Sequence, residues 1–314
     1  MKTSGMRSML PRSRAIYPSE HASCIKHGMN AVIHAMRPLP EAGGWQAKLK
    51  LEFAQSHQRT VLVRRSHHGP LVVQKTLYPE GGDLCHAVVV HPPGGIAGGD
   101  ELTLQAYLKN GAKALLTTPG AGKWYKAAGR PASQQLNFTL QAGSVLEWLP
   151  QENILFNGAR TLMLADISLA GDAAFAGWEI LCLGRQARGE QWSDGSLRQI
   201  QQIRRDGRLI WMEQNVLAPE MAARHATAGW RGEPVNGTFI VAAGAVPAQV
   251  LEECRGVVTA NSGGHGVTVL PEVFVARYLG QSSEEARHYF EALWQILRPW
   301  YLKRTATRPR IWNT

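Results

Sequence analysis

Two glutamates lie inside strongly apolar segments of the chain, and a third lies close to them. In one predicted strand, Glu147 shares a face with Val145 and Leu149, and Glu179 lies in a second apolar strand. Glu152 follows the first of these strands. A buried carboxylate needs a cation, a hydrogen-bonding partner or a wet cavity. These glutamates could therefore lend oxygen ligands to a divalent cation, although an ion pair or a hydrogen bond to the backbone is the more common way to satisfy such a carboxylate.

A glycine-rich segment over 91–100, with the sequence HPPGGIAGGD, begins with His91 and ends with Asp100. Its four glycines permit backbone conformations that are closed to other residues, so the segment predicts a tight loop with several turns. Asp100 then begins the next predicted strand. The sequence of the loop does not indicate what the loop binds.

The segment GAGK over 120–123 has part of the pattern of a phosphate-binding loop. That motif requires a glycine five residues before the Gly-Lys pair and a serine or threonine after the lysine. Thr117 and Trp124 stand at these two positions. The chain also has no dinucleotide-binding fingerprint, no HExxH and no GxSxG motif, so its sequence points to no familiar nucleotide or hydrolase site.

Cys85, His86 and His91 place a thiol and two imidazoles within seven residues, which are side chains suited to zinc, nickel or copper. However, Cys85 and His86 are adjacent in a predicted strand and must point to opposite faces. This alternation favours a core cysteine beside a surface histidine over a metal site.

The net charge of +10 lies in the two ends of the chain. Residues 1–37 and 298–314 each carry a charge of +5, and the body between them is neutral. A groove that follows the phosphates of a nucleic acid needs basic residues on a folded face. The distribution therefore argues against nucleic-acid binding.

The cysteines are scattered and the apolar segments are short. No two of Cys24, Cys85, Cys182 and Cys254 are close enough for a CxxC motif, which is typical of a reduced compartment. No run of 18 apolar residues is present, so no membrane-spanning helix is predicted. The N-terminus lacks the apolar region of a secretory signal. We expect a cytoplasmic protein with no membrane partner.

Most of the chain predicts β-structure. From Trp45 onwards, apolar and polar residues alternate, and strand signals recur every 8–12 residues without helices between them. Asn110-Gly111 and Asp206-Gly207 have the sequence of hairpin turns. The predicted strands cover 46–53, 60–64, 71–76, 84–90, 101–109, 112–118, 134–140, 145–149, 160–169, 178–183, 197–203 and 209–216.

Helices are predicted mainly in the C-terminal part. Residues 247–254 have the pattern of a short helix, and Ser282 to Glu285 form a capping box before a longer amphipathic helix that Pro299 should end. Residues 1–44 show no periodicity and predict a flexible N-terminal extension. The expected fold is therefore mostly β, an elongated body with many short strands in stacked sheets, a few helices, and one domain over 45–314.

Five segments together resemble the urease accessory protein UreD family, also called UreH. They are HPPGGIAGGD over 91–100, TTPGAGKWY over 117–125, LEWLPQENILFNG over 146–158, LCLGR over 181–185 and RIW over 310–312. The resemblance covers about 270 residues from Trp45 to Thr314. It implies a mostly β fold, in agreement with the periodicity, and no catalysis by this chain.

The resemblance also implies the partners. Similar proteins bind apo-urease and recruit UreF, which in turn recruits the GTPase UreG, and nickel passes to urease within that assembly. An internal passage has been proposed as the route, so nickel(II) would be in transit and no cofactor would be bound permanently. The candidate contacts along such a route are His91, Asp100, Glu147, Glu152 and Glu179.

A second hypothesis remains from the residues alone. The carboxylates and His91 could instead cluster as the metal centre of a β-rich metal-dependent hydrolase, which would need converging ligands with one open position on the metal.

Overall fold

The computed structural model of the chain describes residues 44–259 and 263–313. Strands dominate this part, and alternation between buried and exposed residues marks most strands of the first sheet, as in β1, where Ala47, Leu49, Leu51 and Phe53 are buried. In chain order the strands are β1 (Gln46–Ser56), β2 (Arg59–His68), β3 (Val72–Val73), β4 (Leu84–Val90), β5 (Glu101–Leu108), β6 (Lys113–Thr117), β7 (Gly122–Trp124), β8 (Ala132–Leu140), β9 (Val145–Trp148), β10 (Asn153–Leu155), β11 (Arg160–Leu169), β12 (Ala174–Leu183), β13 (Ser196–Arg205), β14 (Arg208–Leu217), β15 (Val235–Ala242), β16 (Gly264–Leu270) and β17 (Val273–Gly280).

The helices are fewer and lie mainly towards the C-terminus. They are α1 (Ala248–Arg255) and α2 (Ser283–Leu302), with short 3-10 turns at Gln186–Arg188, Ala222–Arg224 and Arg310–Asn313. The prediction of a mostly β fold with a few C-terminal helices is confirmed.

The strands form two stacked sheets. The first sheet has the order β14-β13-β11-β8-β5-β1-β2, and the main path of the second has the order β16-β17-β15-β12-β9-β6-β4-β3. From β4 to β13 the main strands pass alternately between the sheets, and each return to a sheet adds a parallel strand. Strands β7 and β10 follow β6 and β9 directly and form a branch of the second sheet beside β12. The result is a solenoid-like body, and antiparallel strands extend the edges of its two sheets.

The main core lies between the inner faces of the two sheets. Phe53 and Phe138 from the first sheet meet Trp148 and Phe175 from the second. Burial of such aromatic side chains supplies much of the stabilisation of a two-layer β-structure. A polar residue on an inner face is therefore conspicuous and is a candidate for function.

The two predicted hairpin turns have different outcomes. Asp206-Gly207 does join antiparallel neighbours, β13 and β14, and both residues have the positive φ that such a turn requires. The prediction for Asn110-Gly111 is wrong, because this turn leads from β5 in the first sheet to β6 in the second. A tight turn with a left-handed glycine serves equally well where a chain changes sheets, since it reverses direction in both cases.

Helix α2 covers the outer face of the second sheet. The predicted cap is present, because the Ser282 hydroxyl accepts a hydrogen bond from the Glu285 backbone N–H at 3.2 Å. The prediction that Pro299 ends the helix is wrong, since α2 continues to Leu302. Arg298 and Tyr301, on either side of the proline, are both bonded to Glu147 of the sheet, and these contacts hold the last turn in place.

Three strands of the C-terminal part, β15, β16 and β17, were not predicted from the sequence. They extend the second sheet beside β12, and α2 packs on them.

Apart from Gly44, the predicted extension over 1–44 lies outside the described residues. Within the described part of the chain, no helix is both long and apolar enough to cross a membrane.

Candidate functional site

The five motif segments of the sequence come together in the folded chain. Ile96 pairs with Trp124, Trp124 with Leu155, and Leu155 with Leu183, so that four separate motifs lie side by side. All four side chains are buried in the main core. Trp312, from the fifth motif, donates from its indole Nε1 to the Thr117 hydroxyl at 2.7 Å. The five motifs thus form one continuous region.

Asp100 shapes the glycine-rich loop. Its carboxylate accepts hydrogen bonds from the backbone N–H groups of Ala97, at 2.7 Å, and Trp45, at 2.8 Å. The side chain is buried, and these bonds satisfy it. Asp100 therefore fixes the loop and ties it to the start of β1.

A cavity of about 280 Å³, partly open to the surface beside the exposed residues Gly94, Gly120 and Lys123, lies next to these motifs, between the two sheets. Its wall combines residues of the glycine-rich loop, of the segment at 118–123 and of the segment at 148–153. A second cavity of about 30 Å³, room for about one water molecule, shares the lining residues Gln134, Trp148 and Glu179 with the first. Glu179 and Gln134 therefore face both cavities.

The Glu179 side chain points inward from β12 and is held by a chain of hydrogen bonds. The Trp124 indole donates to the Asn153 Oδ1 atom at 2.8 Å, and the Asn153 Nδ2 group donates to Glu179 Oε1 at 2.6 Å. The Glu179 side chain is half-buried and faces the cavity. Burial raises the pKa of Glu179 to about 7, and the bond from Asn153 opposes that rise only in part.

His91 lines the same cavity at the start of the glycine-rich loop. Burial lowers the pKa of His91, and the nearby Asp100 carboxylate opposes this effect. The imidazole is therefore neutral at neutral pH, the form in which histidine binds metal ions.

Three buried polar atoms on residues that line the cavity have no hydrogen-bonding partner among the described residues: His91 Nε2, Trp148 Nε1 and Gln151 Nε2. Buried groups of this kind are normally satisfied by ordered water or by a ligand. The cavity is therefore suited to polar contents, although most of its wall is apolar.

Glu147 lies on the opposite face of the second sheet from Glu179 and is fully buried against α2. Its carboxylate accepts from Trp294 Nε1 at 2.7 Å, from the Tyr301 hydroxyl at 2.6 Å and from Arg298 Nη2 at 2.8 Å. Burial and the neighbouring Glu147 carboxylate raise the pKa of Tyr301, so its hydroxyl stays protonated and can donate. These contacts make Glu147 a structural anchor of the helix.

The network continues to a second carboxylate. Arg298, also fully buried, donates to both oxygens of Glu80 at 2.6 and 2.9 Å, and His86 Nε2 lies 2.8 Å from Glu80 Oε1. The expectation that His86 lies at the surface is therefore wrong. Its face of β4 is covered by the chain around Glu80, which supplies the hydrogen bond that makes burial of an imidazole acceptable.

Glu152 occupies a third environment. Its carboxylate lies 3.4 Å from Arg287 Nη1 of α2, and Arg287 also donates to the side chain of Gln151. Both side chains of the Glu152–Arg287 pair are largely buried. The pair ties the segment before β10 to the helix.

The structure thus brings His91 and Glu179 to one cavity, with Asp100 behind the loop, and places Glu147 and Glu152 against α2. In the ranges that the structure describes, no three His, Cys, Asp or Glu side chains are grouped so that they could hold a metal ion. The carboxylates predicted to cluster in the hydrolase hypothesis therefore do not converge, since the second sheet separates Glu147 from Glu179.

Residues that the sequence interpretation missed are Gln134, Trp148, Gln151 and Asn153. The sequence did contain a signal for Gln134. It lies two and four residues before Leu136 and Phe138 in a predicted strand, so the three side chains share the inner face. Trp148, Gln151 and Asn153 surround Glu152 in the sequence, but only the fold shows that they face the cavity.

Comparison with known proteins agrees with the motifs. A family model described as UreD urease accessory protein matches residues 46–313. A urease accessory protein UreD from Methylobacillus flagellatus is 57% identical over 270 residues, covering 86% of this chain and 95% of that protein. Those from Dechloromonas aromatica and an Azoarcus species are 50% and 47% identical, covering 86% and 91% of this chain and 95% and 100% of their own. The chain belongs to the UreD family of urease accessory proteins, which are accessory factors and not enzymes.

Proposed function

We propose that this chain is a maturation factor that binds apo-urease, recruits UreF and through it the GTPase UreG, and lets nickel pass through its interior on the way to urease. The observation that supports the proposal is the cavity between the two sheets, where the family motifs meet. We place this activity in the cytoplasm, in accord with the scattered cysteines.

The side chains of the cavity fit a divalent cation in transit. Glu179 offers a carboxylate oxygen and His91 a neutral imidazole nitrogen, both of which are accepted by nickel(II). Gln134 and Gln151 add amide groups that can hold water around a hydrated ion.

The same side chains favour passage of a nickel ion over its storage. Sites that retain a metal ion surround it with converging protein ligands, whereas no three His, Cys, Asp or Glu side chains are grouped in this way among the described residues. Ionised Glu179 attracts a cation, and its pKa of about 7 means that a proton competes with the ion near neutral pH. A weakly held ion can move on to a stronger site.

The variant Glu179→Gln tests the proposal. Glutamine keeps the volume and the acceptor for Asn153, so the fold should persist while the charge is lost. We expect pull-down of urease, UreF and UreG to be unchanged, and nickel-dependent urease activity per complex to fall by about tenfold, as is typical when a group at a metal site is removed.

The matched control is Glu252→Gln, the same chemical change at an exposed site on α1. It should leave both measurements unchanged. Loss of complex and activity together in Glu179→Gln, or loss of neither, would contradict the proposed passage.

A further inference from the structure

The outer face of the first sheet carries a polar trough at the β1–β2 end. The register places His68, Lys48 and Thr103 in one cross-strand row and Ser66, Lys50 and Gln105 in the next. A third row contains Arg64, Glu52 and Tyr107. This face lies opposite the core and has no helix over it among the described residues.

The trough is concave. The pairing of β1 with β2 shifts register between Glu52 and Phe53, so that Val63 is an extra residue in β2. A bulge of this kind bends the strand and increases its twist. The trough is open to solvent and has a volume of about 550 Å³, with Asn137 and Thr139 of β8 on its far wall.

The charges along the near wall are uncompensated. Lys48, Lys50 and Arg64 are exposed and have no carboxylate partner in the described part of the chain. The carboxylate of Glu52 is paired instead with Lys109, at 2.7 Å. His67 and His68 also line the trough. The trough therefore has cations on one side and neutral hydrogen-bonding groups on the other.

The positive charge of the trough indicates which kind of molecule could bind there. The chain's own N-terminal segment over 1–37 has a charge of +5, and a second copy has a net charge of +10, so both are repelled. A nucleic acid needs a long row of cations to follow its phosphates, whereas the basic side chains here are confined to two strands. A short acidic peptide segment matches both the cations and the amide and hydroxyl groups of the far wall.

We infer that this trough binds an acidic, extended polypeptide segment of a partner protein. The carboxylates of the segment would pair with Lys48, Lys50 and Arg64, and its backbone would lie towards Gln105 and Asn137. The inference does not depend on the proposed nickel passage, because the trough and the cavity lie on opposite sides of the first sheet.

The test measures fluorescence anisotropy of a labelled hexaglutamate peptide with the full chain. We expect saturable binding that weakens as salt is added, and an affinity at least about tenfold lower for the double variant Lys48→Glu, Lys50→Glu. The matched control is Lys75→Glu with Arg188→Glu, which makes the same charge change at exposed positions away from the trough. The control should bind like the unmodified chain.

Three outcomes would overturn the inference. These are absence of hexaglutamate binding, equal loss of affinity in the trough and control variants, and tight binding of a labelled oligothymidylate that the trough variant loses. A circular dichroism spectrum of the trough variant that matches the unmodified chain shows that its sheet is intact, since both lysines are exposed.

Discussion

Glu147 and Glu179 lie on opposite faces of one sheet, and each face gives its carboxylate a different chemistry. Three donors from α2 surround Glu147, so that its charge is neutralised and its oxygens are occupied. Glu179 receives one donor from Asn153 and otherwise faces the cavity. The first carboxylate is therefore committed to the fold, and the second is available to a ligand.

Replacement of Glu147 by alanine should destabilise the protein strongly. The change leaves Arg298 buried beside a cavity, with Tyr301 and Trp294 deprived of their acceptor. Breaking a buried pair in this way costs about 3–5 kcal/mol. Urea unfolding followed by tryptophan fluorescence measures the loss, and Glu252→Gln provides an exposed control. A shift of less than about 1 kcal/mol would contradict the role of Glu147 as an anchor.

Acidification should weaken the same network through Glu80. Burial alone would raise the pKa of Glu80, but the bonds from His86 and Arg298 outweigh it and lower the pKa to about 2. A carboxyl group whose pKa is depressed by folding stabilises the protein above its unfolded pKa of about 4.5, and this contribution is lost as the pH falls towards 2.

We therefore expect the free energy of unfolding to fall as the pH decreases from about 4.5 to about 2. In Glu80→Gln that part of the pH dependence should be missing, because glutamine does not titrate. Chemical unfolding at a series of pH values compares the two proteins. Identical pH profiles would show that Glu80 does not carry the effect.

Part of the candidate site could be predicted from sequence. The two-residue period of strands correctly placed Glu147 on one face with Val145 and Leu149, and Glu179 on one face with Leu181 and Leu183. It could not show which element covers each face, because Arg298 lies 151 residues from Glu147 in the chain. The choice between an ion pair and a wet cavity depends on those distant partners, and so only the fold resolves it.

At the level of elements, the alternation of apolar and polar residues predicts where strands lie but not which strands pair. A strand of a hairpin and a strand of a solenoid bury side chains with the same period, so Asn110-Gly111 looked like a hairpin although it joins two sheets. The helix end was missed for a similar reason. Pro299 disfavours continuation locally, but Arg298 and Tyr301 hold the final turn through tertiary bonds.

The cap of α2 gives a prediction at this scale. Ser282→Ala removes the hydroxyl that accepts from the Glu285 N–H, and loss of such a cap costs about 1 kcal/mol. Ser282→Asp should restore most of the stability, since aspartate caps equally well. Thermal unfolding of the three proteins measures the differences. An alanine variant as stable as the unmodified chain would show that the packing of α2 on the sheet makes the cap dispensable.

At the scale of the whole molecule, the two ends of the first sheet differ. The β2 end carries many charged side chains, whereas β14, the last strand at the other end, exposes Leu209, Met212 and Val216. Charged side chains protect an edge strand against pairing with another chain, and exposed apolar ones do not. The β14 end is therefore the part of this sheet most prone to association.

We expect the chain without its partners to self-associate through β14. Met212→Lys with Val216→Lys puts two charges on the strand, at side chains that are 40% and 45% exposed, so little core packing is lost. Size-exclusion chromatography with light scattering, at a concentration on the order of 100 μM, should give larger species for the unmodified chain and a monomer for the variant.

The control for this experiment is Val63→Lys with Leu77→Lys, which removes similarly exposed apolar side chains, 50% and 49%, away from β14. It adds the same charge, so it separates the effect of the strand from a general gain in repulsion between molecules. The control should associate as the unmodified chain does. If the unmodified chain is already a monomer, or if both variants reduce association equally, β14 is not the site of association.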